Sequence, residues 1–421
     1  MNKRHLNNKR TNRIHAARSR HVGLSLIELM VALAISTLVA LGIVQIFSAS
    51  RMTYQVQEGL SRVQESGRYA VQTLQRDLRM VGYMGCGSDN ERDTQASFVN
   101  HLATWSATVP GGDAVDPKYR FQRPIEAFAA ADLPADLTAL GLNVVAGTDV
   151  LVLRTVSEDA VPVISIARTP DNYGLDVAVA SSVSDVFPSV AGNDIVYALE
   201  SCRSADVFVG NLAATDVTVI GNTGLNVYLD PTVTDCNAGG NCPWDFRVSN
   251  VFLNAPVSTG GAGSKQLNAE LHRAEYIVLY VAPNTDNIPS LYSRRLKRTD
   301  TALAPASDEL AEGIENMQLR FGVDNNGDGQ ADEYRDAAAV AAGAATTVAL
   351  DANWRKVVSV RVGLLVRSVD RAGVPATRSN GDARTYQVLD APPITPTDPN
   401  DGAMRQVYET TIALRNRIFN S

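Results

Sequence analysis

The chain has 421 residues, 45% of them hydrophobic and 20% charged, which is the balance of a globular protein and excludes a disordered one. That length supports a large core and usually divides into two or three domains. The formal charge of −7 is unevenly spread: Lys3, Arg4, Lys9, Arg10, Arg13, Arg18 and Arg20 crowd into the first 23 residues with no acid among them, and removing them leaves −14. So acidic a remainder argues against broad binding to nucleic acid, and the short run Arg294, Arg295, Lys297 and Arg298 reads more simply as a solvated strand end.

After the basic leader, no charged residue occurs from Leu29 to Phe47. That run is about the 20 residues a helix needs to cross a bilayer core. Positive charge ahead of it predicts that the leader stays in the cytoplasm and the rest faces outward. A secretory signal peptide fits less well. The apolar run is long for such a signal, and no small-residue cleavage site follows, because the chain continues as Arg51-Met52-Thr53-Tyr54. Val56, Leu60, Val63, Ala70, Leu74, Leu78 and Val81 then recur at three- and four-residue steps with a gap at Gly67, the stripe of an amphipathic helix. No proline appears before Pro110, so one helix is expected from about Leu24 to about Met80. Its first half suits lipid or a helical bundle, and its second half suits the flank of a globular body.

Glu28 is the anomaly in the apolar run. A carboxylate near the start of a membrane helix is costly unless paired. A cut after Gly23 would free an amine at Leu24, four residues earlier, and in a packed array Glu28 of one subunit would pair with the amine of a neighbour. The simpler alternative is a Glu that snorkels to the interface.

From about Gly85 the pattern changes to short apolar runs split by Gly, Pro, Asn and Asp. Residues 150–153, 161–166, 194–199, 217–220, 276–281, 291–296, 357–366 and 408–414 read as strands, with two more around Leu319 and Tyr334. Residues 87–140 read as loop with short helix, the Ala-rich stretch 335–350 as a short helix or insertion, and 370–403 as a surface loop. The expected fold is α+β: one long N-terminal helix on a large antiparallel β-rich domain. Its divisions are a leader at 1–23, the helix at 24–83 (membrane-spanning about 27–48) and the body at 84–421.

Cys86, Cys202, Cys236 and Cys242 form no CxxC pair, which disfavours a zinc ribbon or a thioredoxin-type site. An even count behind an export signal suggests two disulfides. Three connectivities are open. The short Cys236–Cys242 loop can close locally, which would leave Cys86 with Cys202. His5, His15 and His21 lie in the leader, and His101 and His272 downstream read as ordinary surface or strand residues. No GxSxG, HExxH, P-loop or GxGxxG occurs, and nothing points to an enzyme or to a required cofactor. One motif has the form of a calcium loop. In residues 324–333 the side chains of Asp324, Asn326 and Asp328 take the first, third and fifth ligand positions, Gly329 allows the turn, Gln330 offers its carbonyl and Asp332 follows. The twelfth position is Arg335 in place of a bidentate Glu, so an Asx-rich turn is the competing reading.

The stretch Gly23-Leu24-Ser25-Leu26-Ile27-Glu28-Leu29-Met30-Val31-Ala32 resembles the class III signal of type IV pilins and pseudopilins. That resemblance implies cleavage between Gly23 and Leu24 by a membrane prepilin peptidase, with N-methylation of Leu24. Departures are a Leu where Phe is commoner, a long leader and no proline in the membrane helix. Residues 69–86, running from Arg76-Asp77-Leu78-Arg79 through Gly82 to Cys86, resemble the helix exit of PilW-type minor pilins. Cys202 ahead of Ser204-Ala205-Asp206-Val207-Phe208, and the ending Thr410-Thr411-Ile412-Ala413-Leu414-Arg415-Asn416-Arg417, resemble that family too. The resemblance implies a minor pilin in the inner membrane and then in the fibre, at or near its tip. It would act in pilus initiation and support twitching, adhesion or DNA uptake. Its partners would be prepilin peptidase, other minor pilins, the major pilin and a tip adhesin. The alternatives are a J-like pseudopilin of type II secretion and an anchored adhesin or ligand-binding module.

Overall fold

The computed structural model describes residues 25–84, 97–100, 120–168, 174–179, 195–201, 204–210, 224–228, 270–298, 303–374, 377, 382–396, 398 and 400–418. The chain forms two compact units, Met1–Tyr54 and Gln55–Ser421. Helix α1, Leu26–Met80, begins in the first and ends in the second.

In the first unit the large side chains of α1 are exposed all round, from Leu26 (77%) to Phe47 (69%). A helix apolar on every face is solvated by lipid or by other helices, not by water. Among the described residues it is the one helix long and apolar enough to cross a membrane. In the second unit the expected stripe is buried: Val63, Ala70, Leu74, Leu78 and Val81 are each fully covered. Leu60, at its upper end, remains exposed. The stripe has no gap at Gly67, which is itself buried.

Ten strands make the larger sheet: β1 (Ser97–Asn100), β2 (Ile125–Ala129), β3 (Asp149–Arg168), β4 (Gly174–Val179), β5 (Ile195–Ser201), β6 (Ser204–Gly210), β7 (Gly224–Tyr228), β8 (Glu270–Pro283), β9 (Pro289–Arg298) and β10 (Leu303–Glu312). Its main order is β1-β6-β5-β8-β3-β4-β7, with β2 on β3 and with β9 and β10 branching from β8. Pairing is antiparallel except between β1 and β6. A short helix α2, Ala135–Thr138, follows β2. The second sheet has the order β12-β11-β13-β14, from β11 (Ile314–Val323), β12 (Glu333–Arg335), β13 (Val357–Arg367) and β14 (Arg405–Ala413). Helices α3 (Ala337–Ala341) and α4 (Thr347–Arg355) link β12 to β13, and α5 (Arg415–Ile418) ends the described chain. One core contains Leu74 of α1, Leu151 and Leu279 of the larger sheet, and Phe321, Val360 and Ile412 of the smaller.

The stretches 150–153 and 161–166 belong to one strand, β3. Polar Glu158 and Asp159 interrupt the apolar pattern, while the backbone continues through a register shift between Val156 and Ala160. Residues 217–220 lie outside the described residues. The Ala-rich stretch forms α3 and α4, started by Asp336 accepting from Ala339 N–H (2.7 Å) and Thr346 accepting from Ala349 N–H (3.2 Å). The stretch 370–403 is more than a surface loop. Val388 and Ala372 are fully buried, because Gly363 on β13 leaves room that Val388 fills: a β-carbon at Gly363 would lie 2.6 Å from Val388 Cγ1.

Two polar seams tie the larger sheet to the smaller sheet and to its linking helix α4. At one, Asp149 Oδ2 accepts from Leu319 N–H (2.8 Å), while Asn316 and Gln318 donate to the Gly147 carbonyl (3.0 and 2.8 Å). At the other, buried Glu126 of β2 accepts from Arg123 (2.8 Å) and Arg154 (3.0 Å), with Arg120 at 3.5 Å, and Arg123 also binds Asp351 of α4. The surrounding guanidinium groups hold the Glu126 carboxyl below its ordinary range despite full burial.

Candidate functional site

The first candidate site is the start of α1. Ser25 Oγ accepts from Glu28 N–H (3.2 Å), and the Ser25 carbonyl accepts from Glu28 N–H and Leu29 N–H (3.1 Å each). A Ser cap on the third residue's amide satisfies one of the donors that a helix start leaves open. The cap places Glu28 in the first turn, with its side chain exposed. It is the one charged residue between Ser25 and Ser50. Ser36 and Thr37 donate back to Ala32 and Ala34 carbonyls (2.7 and 2.8 Å), so these hydroxyls need no outside partner. Glu28 has no such local solution through its carboxylate oxygens, which accept only. In an apolar surround it calls for a cation or a hydrogen-bond donor from another molecule. Gly23 and Leu24, the expected cleavage pair, lie outside the described residues.

The second candidate is the seat of the helix on the body. Helix α1 ends at Met80, and Gly82 just beyond it has a φ of +71°, the left-handed turn that glycine favours. Its last carbonyls are taken up by the body. Met80 O accepts from Thr155 Oγ1 (2.7 Å), and Val81 O accepts from Asn416 Nδ2 (3.1 Å). Buried Asp77 binds Arg295 of β9 at 2.8 Å. Gln75 donates to Thr410 (3.4 Å), and Tyr408 Oη donates to the Val63 carbonyl (3.4 Å). The Tyr408 ring lies against Gly67, where a β-carbon would be 2.5 Å from Cε2. Of the expected basic run, then, Arg295 is a structural clamp, and Arg294 reaches Ser307 Oγ (3.4 Å). The side chains of Lys297 and Arg298 lie outside the described residues. His272 is a buried residue of β8, with Nδ1 2.9 Å from the Ser157 carbonyl. His101 and all four cysteines, Cys86, Cys202, Cys236 and Cys242, lie outside the described residues.

The third candidate is the loop at 324–332 between β11 and β12. Asp324 turns both carboxylate oxygens onto its own backbone, accepting from Gly327 N–H (2.7 Å) and Gly329 N–H (2.8 Å), and these donors hold its carboxyl below the ordinary range. Asn326 accepts from Asp328 N–H, Asp328 from Gln330 N–H, and Asp332 from Asn325 N–H. Among the described residues no three His, Cys, Asp or Glu side chains converge as metal ligands do.

A capped apolar helix start carrying one acid is thus followed by an amphipathic half seated on antiparallel sheets. The Prokaryotic N-terminal methylation motif matches residues 18–44, and the Type IV Pilus-assembly protein W family matches residues 278–416, from mid-β8 into α5. The chain is thus similar to the pilus-assembly family over its last third and to the methylation motif at its start. No curated protein matches it. Among solved structures, the Type IV-like pilin TTHA1219 from Thermus thermophilus is similar over 35% of this chain and 70% of its own, at 16% identity and a TM-score of 0.20. So loose an overlay has no bearing on the fold, which the helix and its two sheets define by themselves.

Proposed function

We propose that this chain is a minor subunit of a type IV pilus, made as a precursor that prepilin peptidase cleaves between Gly23 and Leu24 and methylates on Leu24. The leader stays cytoplasmic, α1 crosses the inner membrane, and the body faces the periplasm before entering the fibre. Glu28 pairs with the N-terminal amine of a neighbouring subunit, setting the axial register. The role is structural. The subunit joins other minor pilins and the major pilin at or near the tip, helps initiate assembly, contacts a tip adhesin, and so supports twitching, adhesion or DNA uptake. The observation that carries this reading is Glu28, a lone carboxylate in the capped first turn of an otherwise apolar helix. A type II secretion pseudopilin would share that helix; the match of residues 278–416 to the pilus-assembly family favours the pilus.

Glu28→Ala tests the reading. Fibres should disappear while the protein remains processed and membrane-bound. Normal piliation by the variant would refute a register role and leave α1 as an anchor. Mass spectrometry of the mature protein should find an N-terminus at methylated Leu24.

Two subordinate proposals accompany it. Two disulfides form in the periplasm, with Cys236–Cys242 and Cys86–Cys202 the favoured pairing, which non-reducing peptide mapping would decide. The loop at 324–332 binds calcium weakly, with Asp324, Asn326, Asp328, Gln330 and Asp332 as ligands, for which the alternating oxygen side chains are the support. Titration calorimetry on the full chain should show calcium heat that Asp328→Ala reduces, and silence at millimolar calcium would sink the idea.

A further inference from the structure

The connection between β13 and β14 reaches the face of the smaller sheet that points away from α1. Gly363 of β13 lies opposite Glu409 of β14 on that outer face. The next pair, Leu364 opposite Tyr408, points the other way, into the core and the seat of the helix. Residues 386–394 form a short strap over the outer pair. Its ends are tied by Tyr386 and Ile394, whose backbones exchange two hydrogen bonds (2.9 and 2.8 Å), and its tip turns where Ala391 N–H donates to the Val388 carbonyl (3.2 Å). Val388 plugs the space that Gly363 leaves, and Leu389 N–H donates to Glu409 (2.7 Å). Asp390 adds an ion pair to Arg320 (2.5 Å), itself largely exposed.

The tip is strained. Leu389 has a φ of +50°, a left-handed backbone that a bulky side chain rarely adopts. A strained turn held by one plug, one backbone bond and one exposed ion pair has the character of a segment that opens by itself. The same connection also touches the helix. Buried Ala372 packs on Gly59 of α1 so closely that a β-carbon there would lie 2.9 Å from its own.

We propose that the strap is a latch: it opens as its own unit, loosens β14 at Glu409 and Tyr408, and so unseats the amphipathic half of α1 from the body. β14 is the strand to loosen, because among the described residues β13 is its one strand partner. Tyr408 is the link, since its hydroxyl donates to the Val63 carbonyl (3.4 Å) and its ring lies against Gly67. The latch lets the body release this half of the helix without unfolding the larger sheet, which is hydrogen-bonded as a separate unit. It stands apart from the register role of Glu28 and does not depend on it.

Native-state hydrogen exchange of the full chain in detergent is the test, read from peptides over 386–394, 63–71 and β8. In the unaltered chain the strap and the helix stretch should each exchange before β8. Gly363→Ala sets a β-carbon 2.6 Å from Val388 Cγ1 and 2.9 Å from Leu389 Cγ. It should speed both stretches by roughly tenfold and leave β8 unchanged. Glu409→Ala removes the acceptor of Leu389 N–H from the outer face and should speed both several-fold, while Glu409→Gln, which keeps an acceptor, should not. The Glu409 pair decides the matter if Gly363→Ala does not fold. Three results overturn the inference: the strap speeds up while 63–71 keeps its rate, strap and helix exchange only together with β8, or neither responds to any variant.

Discussion

Asp149 sits at the first residue of β3, partly buried, with its carboxylate turned to the Leu319 amide of the other sheet. Burial is the main cause that pushes its carboxyl from 3.8 up to about 6; the Leu319 N–H and Arg320 oppose the rise, and Asp336 adds to it. At about 1.4 kcal/mol per pH unit, that gap corresponds to at most about 3 kcal/mol. The sign follows from proton counting. Between pH 3.8 and about 6 the folded chain holds a proton here that the unfolded chain has released, so stability falls across that window and stays lower above it. Asp149→Asn keeps a carbonyl to accept from Leu319 and removes the ionisation. At pH 7.5 the variant should therefore be more stable, by up to about 3 kcal/mol. Near pH 4 the gain should shrink towards zero. Denaturant unfolding of the full chain in detergent measures this, with Trp354, buried edge-on against Phe321 at 5.0 Å, as a fluorescence reporter. A gain of equal size at both pH values, or a loss at pH 7.5, would refute the argument.

The opposite sign is expected at Glu126. Its depressed carboxyl contributes stability above about pH 4 that is lost on acidification, and Glu126→Gln leaves three guanidinium groups around a neutral amide, costing about 3–5 kcal/mol in denaturant unfolding. Asp401, held low by its bonds to Arg405 and to the Ala403 amide, should add to the same acid lability, and Asp401→Asn should flatten the stability profile below about pH 4. Gly67→Ala should cost about 1 kcal/mol net, because overpacking against Tyr408 (about 1–3 kcal/mol) outweighs the better helix propensity of alanine (about 1 kcal/mol). In a Tyr408→Ala background the same change should become stabilising by about 1 kcal/mol, and a double-mutant cycle reads the difference.

What the sequence showed of this molecule follows from periodicity. The long helix was legible because a charge-free run followed by a three-four stripe has one interpretation, and strands β8, β9, β13 and β14 because their apolar runs are bounded by turn residues. Strands β1, β2, β4, β6, β7 and β10 were missed; the apolar residues of β10 are split by Pro305, Ser307 and Asp308, while β2 and β6 are short and carry an acid, Glu126 and Asp206, among their apolar residues. The seat of the helix was the least legible part. Tyr408, Arg295 and Asn416 act on α1 from far along the chain, and nothing local marks an exposed-looking Tyr or Arg as the partner of a helix. Gly67 was the one available signal: a glycine interrupting an apolar stripe announces that something bulky lies opposite, without saying what. At the helix start, Glu28 stood out as a candidate because a lone acid in an apolar helix has few explanations.

Tyr408 and Val63 are 345 residues apart, and their contact fixes an order of events. The helix is synthesised long before the strand that covers it. Until β13 and β14 exist, Val63, Ala70 and Leu74 have no smaller sheet to bury against. So distant a contact forms late, after a large loop has closed. The growing chain must therefore keep its amphipathic half unsatisfied until β13 and β14 have been made. Biogenesis and architecture are then coupled through a single ring: a chain cut short within β14 would carry a complete apolar helix and lack the Tyr408 side of its seat.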